Sequence, residues 1–139
     1  MKSIFFLVFL ISFSLSQADE KKEWNKELKK LQEQCRKEVG VDDESYQNMM
    51  RTGHANESKR QEVEFVYCLA LKEDFFDEKG NLKAANIEAH LRRMGIDEGT
   101  IEETMQSCKS LREPDDTALS ATRYYECFAD RLPRDVLIL

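Results

Sequence analysis

The side chains able to do chemistry in this chain are few, and the four cysteines, Cys35, Cys68, Cys108 and Cys127, have the widest choice: metal ligation, nucleophilic attack or cross-linking. The gaps between them are 32, 39 and 18 residues, no C-x2-C pair occurs, and only His54 and His90 accompany them. That is a poor donor set for zinc. Because the cysteines are even in number, pairing leaves no thiol over for catalysis, and local sequence places neither histidine beside one. No nucleophile, acid and base pair or metal constellation assembles, so the sequence predicts no enzyme and no cofactor. Residues 77–88 have the length and acidic ends of a calcium loop, but Leu82 holds the glycine position and Lys79 a ligand position. Asn56-Glu57-Ser58 is an N-glycosylation sequon, with a helix cap as the plainer use of Asn56.

The compartment decides how the cysteines are read. Lys2 precedes an apolar run over residues 4–15, which closes on Ser16-Gln17-Ala18 before the charged Asp19-Glu20-Lys21-Lys22. This is the pattern of a secretory signal peptide over residues 1–18. Ser12, Ser14, Ser16 and Gln17 interrupt the run, leaving it short of the roughly 20 continuous apolar residues of a membrane span. A single domain over residues 19–139 is then expected outside the cell, where two disulfides form by default and three connectivities stay open. The balance of 21 Lys+Arg against 27 Asp+Glu argues against a nucleic-acid partner. No later stretch is apolar enough for stable membrane insertion. With 41% hydrophobic residues, two prolines and five glycines, the chain is neither disordered nor collagen-like.

The elements that must position these residues are helical. Over residues 22–39, Trp24, Leu28, Leu31 and Cys35 fall on one stripe, closed by Gly40. Asp42 or Asp43 starts a second helix bearing Tyr46, Met49 and Met50 before Gly53, and a third is expected over residues 57–71 with a largely apolar C-terminal half. Residues 75–81 read as a turn. A fourth helix carries Ala84, Ile87, Leu91 and Met94 to Gly95, and a fifth is capped by Asp97 or Thr100 with Ile101, Met105, Cys108 and Leu111 along it. Asp115 or Asp116 starts a sixth through Ala118, Ala121, Tyr125, Phe128 and Leu132. The prediction is an all-α domain of about six short helices, each cysteine on a different one. Two cross-links between helices would contribute roughly 3 to 4 kcal/mol each in the chain-entropy view.

Six short helices after a signal peptide, clipped by cysteines, resemble the insect odorant-binding proteins of the pheromone-binding and general odorant-binding type. That family's pattern has six cysteines, with three residues between the second and the third and eight between the fifth and the sixth. Those spacings place Glu64 and Ala118 where this chain lacks a cysteine, and the two absent positions are partners in the family's first-third, second-fifth, fourth-sixth connectivity. The chain thus looks like a member of the four-cysteine, minus-C subgroup. The resemblance implies the pairs Cys35–Cys68 and Cys108–Cys127, a small hydrophobic ligand, and a membrane chemoreceptor as a further partner.

Short amphipathic helices can enclose an apolar cavity. The lining expected here is Met49, Met50, Phe65, Leu69, Phe75, Phe76, Leu91, Met94, Met105, Tyr124, Tyr125 and Phe128, with the tail residues Val136, Leu137 and Ile138 as wall or lid. Each alone reads more readily as ordinary core, and only the set points to a pocket. His90, beside that stripe, is the candidate pH-responsive group, with a solvent-facing histidine that switches nothing as the plainer reading. The function expected is a secreted carrier of small hydrophobic molecules, with the Tyr124 and Tyr125 hydroxyls as selectors. The other class in play is a secreted helical protein acting through its surface. A cavity lined from four or more helices would favour the carrier and a solid core the other.

Overall fold

In the computed structural model, residues 2–139 have a described backbone and residues 17–139 described side chains. The chain forms α1 (Lys2–Val39), α2 (Asp43–Thr52), α3 (Arg60–Lys72), α4 (Ala84–Arg93), α5 (Glu98–Ser107) and α6 (Thr117–Ala129), then a short 3-10 turn over Arg134–Val136. Among the described residues there is no strand, only an isolated bridge between Phe76 and Leu82.

α1 is longer than its amphipathic stretch because no Gly or Pro stands between residues 2 and 39. Most of the expected signal peptide lies outside the described side chains. From Trp24 onward, α1 buries Trp24, Leu28 and Cys35 and leaves its Lys and Glu outside. Of the alternatives for helix starts, the side chains that cap are Asp42, Asp97 and Asp116, accepting from Ser45, Thr100 and Leu119 N–H respectively.

α3 is the central element, with Val63, Phe65, Val66 and Leu69 buried. Further boundaries differ from the sequence reading. α3 starts at Arg60 rather than residue 57, because Asn56 Oδ1 accepts from Ser58 N–H (2.9 Å) and closes a turn instead of capping the helix. α5 ends at Ser107, so Cys108 terminates it and Leu111 lies beyond, where the Tyr124 hydroxyl contacts Lys109 O (3.3 Å) and Leu111 N (3.4 Å). α6 stops at Ala129, with Phe128 O accepting from both Arg131 and Leu132 N–H.

The disulfides are Cys35–Cys68, joining α1 to α3, and Cys108–Cys127, joining the end of α5 to α6, each with a Cα separation of 5.8 Å. α3 and α6, the helices left without a cross-link between them, pack face to face, and Thr122 on α6 reaches Val63 O on α3 (3.4 Å). The final residues 136–139 are all buried. The core therefore closes only when the tail folds back over the bundle.

Candidate ligand cavity

The turn over residues 75–81 brings two aromatic rings to the heart of the bundle. Asp77 Oδ1 accepts from Lys79 N–H (2.9 Å) and Asn81 N–H (2.8 Å), and Gly80 takes the left-handed φ of +80° that closes it. These bonds hold the Asp77 carboxyl below the usual carboxylate range. Phe75 and Phe76 are thereby directed at α4 and α6. The space between them is a cavity of about 50 Å3, lined by Ala70 of α3, Phe75, Phe76, Ile87, His90 and Leu91 of α4, Ala121, Tyr125 and Phe128 of α6, and Leu132, Val136, Leu137 and Ile138.

The tail is the remaining wall, and polar bonds hold it. Arg134 donates its guanidinium to Met50 O and to Arg51 O (3.0 Å), occupying carbonyls left over at the end of α2. Gly53, at φ +74°, makes room for it, since a Cβ there would stand 2.9 Å from Arg134 Nε. Lys21 pairs with Asp135 at 3.1 Å, and Gln32 on α1 donates to Ile138 O (3.0 Å) from a buried position. His90 Nε2 lies 2.9 Å from Val136 O.

His90 is 3% exposed and stands between Trp24 (ring centroids 4.6 Å apart) and Phe75 (5.1 Å). Burial pushes its pKa below the ordinary value, outweighing the bond to Val136 O, and Arg93 adds to the lowering. Tyr125, also in the lining, donates to Gly53 O at 2.6 Å, and burial raises its pKa. The Trp24 indole N–H is buried with no hydrogen-bond partner among the described residues, and burial raises the Glu73 pKa.

Of the residues expected in a pocket, the cavity brings together Phe75, Phe76, Leu91, Tyr125, Phe128, Val136, Leu137 and Ile138. Met49, Phe65, Leu69 and Met94 are buried in the surrounding core, and Met50 is half-buried against it. Met105 and Tyr124 border a different depression, between α4, α5 and the turn, which is larger at about 680 Å3 and rimmed by Glu88, Arg92, Glu98, Glu102, Lys109 and Arg112. A charged rim holds water in place, so less apolar burial is gained there. Among the described residues, no methionine lines the first cavity. Sequence reasoning missed Ala70, Ile87, Ala121 and Leu132 as lining; the alanines on the buried stripes of α3 and α6 were the signal, because a small side chain leaves the space a larger one fills. Asn56 is exposed, in the turn ahead of α3.

Among the described residues, no group of three or more His, Cys, Asp or Glu could hold a metal ion, and no helix is long and apolar enough to cross a membrane. Comparison with curated protein sequences finds no match. Among solved structures, the fold is similar to a fatty acid binding protein, OBP56a, from the oral disk of the blowfly Phormia regina, with a TM-score of 0.67 and 19% identity over 78% of this chain and 91% of that one. At that identity the likeness speaks for the fold: helices in the same arrangement. A model of the PBP/GOBP family matches residues 17–131, most of the chain, with its helices, its turn and both disulfides. The chain therefore belongs to the PBP/GOBP family.

Proposed function

We propose that the protein is a secreted, noncatalytic carrier that holds small hydrophobic molecules, such as odorants, pheromones or other lipophilic ligands, in the cavity beneath its C-terminal tail. The observation that carries this reading is an almost wholly apolar space walled on one side by the buried tail residues Val136, Leu137 and Ile138. Family membership supports it, and so does the name of the similar blowfly protein as a fatty acid binder.

Size adds a constraint. A cavity of about 50 Å3 admits a few water-sized spheres, whereas small-molecule sites usually hold roughly 300 Å3 or more. A ligand must therefore take over space that the tail side chains fill. The lining comes from three helices, the turn and the tail, fewer helices than the four or more expected of a carrier, and the tail makes up the difference. Delivery to a membrane chemoreceptor and glycosylation of Asn56 extend the proposal.

The test is a titration of the full chain with a fluorescent apolar probe, followed by displacement with lipid-like competitors. Saturable binding with one site supports the carrier; absence of binding counts against it. Native mass measurement of the purified protein would report a copurified lipid and a glycan on Asn56 together.

A further inference from the structure

His90 carries more than the tail. Its Nε2 faces the carbonyl of Val136, a group that can only accept, so Nε2 holds the ring proton. In a neutral imidazole the other nitrogen, Nδ1, is then a bare acceptor. Burial favours the neutral ring, Arg93 adds to that effect, and the rings tilted against it, Trp24 and Phe75, bear no charge. Among the described residues, Nδ1 is buried with no protein hydrogen-bond partner.

Resting on the carrier reading above, we propose that the cavity selects apolar molecules ending in an O–H donor, either an alcohol or an un-ionised carboxylic acid, and that His90 Nδ1 is the acceptor that reads this head group. The imidazole belongs to the lining. Its two ring neighbours hold its plane, at centroid distances of 4.6 Å and 5.1 Å. The other polar side chain of the lining, Tyr125, has already committed its hydroxyl proton to Gly53 O.

A buried acceptor without a donor costs free energy, and a ligand O–H recovers it. An alkane offers nothing to Nδ1. An ester or ether offers only lone pairs, which meet the nitrogen lone pair unfavourably. The Val136 carbonyl can stay in place while this happens, because the 3-10 turn Arg134–Val136 is anchored through Arg134 to the end of α2. Only residues 137–139 need give way to the ligand chain. One nitrogen of His90 thus secures the tail while the other receives the cargo.

The experiment displaces N-phenylnaphthylamine from the full chain with dodecanol, dodecanoic acid, methyl dodecanoate and dodecane, at neutral and mildly acidic pH. The expected result is dodecanol binding roughly three- to tenfold more tightly than the methyl ester, the worth of one neutral hydrogen bond. Dodecanoic acid tightening as the pH falls would mark the un-ionised acid as a further source of the donor. In His90→Phe the preference for alcohol over ester should collapse toward one, and in His90→Gln, which retains an acceptor, it should persist in part. In the wild-type protein the 15N resonance of His90 Nδ1 should move on adding dodecanol but not the ester, with that of His54 unmoved; this readout does not depend on either variant folding. Displacement by all four with equal affinity would overturn the head-group assignment and leave the carrier reading standing. Displacement by none, with no binding of the probe itself, would overturn the carrier reading and this inference with it.

Discussion

Tyr125 shows how much a single atom matters in a domain this small. Its hydroxyl, inside the core, donates to Gly53 O at 2.6 Å, tying α6 to the end of α2. Tyr125→Phe should cost about 1 to 3 kcal/mol, the price of a buried carbonyl left without its donor, read as a lowered denaturation midpoint. His90 gives a pH prediction whose sign follows from burial. Because its pKa is depressed in the folded protein, the neutral ring's contribution is complete above the ordinary value of 6.5 and declines as the pH falls below it toward the lowered one. Probe release from the wild-type protein should therefore increase on acidification, and His90→Ala should remove much of that dependence; a profile unchanged in the variant would exclude His90 as the pH-responsive group. The sequence marked His90 as titratable and adjacent to the apolar stripe, but its two distinct ring nitrogens emerge only when Val136, distant in sequence, folds against it.

At the scale of elements, Asp116 does two things. It caps α6 by accepting from Leu119 N–H at 3.0 Å, and it pairs at 2.8 Å with Arg60 of α3, which also pairs with Glu64 at 3.0 Å. Arg60 holds the Asp116 carboxyl below the usual carboxylate range, so this contribution is present above the ordinary 3.8 and fades as the pH falls through the lowered value. Asp116→Ala should cost about 1 kcal/mol for the cap and at most about 1 more for the half-exposed ion pair. Asp116→Asn keeps a capping oxygen and should cost less; equal losses in urea denaturation would show that the ion pair dominates. Helix periodicity and acidic caps were legible from the residues alone because both act within a few positions. The early end of α5 was not, since it depends on Tyr124 reaching across from α6 to Lys109 and Leu111.

For the whole molecule, the tail and the absent cross-link set how easily the cavity opens. Deleting residues 136–139 removes four buried apolar side chains, each worth on the order of 2 kcal/mol when fully buried. The truncated protein should melt at a lower temperature and bind an apolar probe with altered affinity; unchanged affinity would count against the tail as a wall of the site. Glu64 on α3 and Ala118 on α6 border the same surface depression next to Cys68. Glu64→Cys with Ala118→Cys should therefore oxidise, raise the melting temperature and narrow the range of ligands accepted, as mass and calorimetry would show; failure to oxidise would refute the facing of these two positions. Until then Arg60 supplies an ionic tie between the two helices, screened by salt in a way a disulfide is not.

The sequence by itself determined the helical period, the acidic candidates for the caps, the turn at residues 75–81 and an even set of cysteines, because these follow from local propensity, period and composition. The family pattern then implied the pairing that the fold shows. Tertiary structure alone decided which apolar residues face empty space and which fill the core, since Met49, Phe65 and Leu69 read no differently along the chain from Phe75 and Phe76. A cavity is a property of how helices approach one another. Here that approach is set by the alanines Ala70 and Ala121 and by a tail returning from the far end of the chain, contacts separated by tens of residues that no local pattern records.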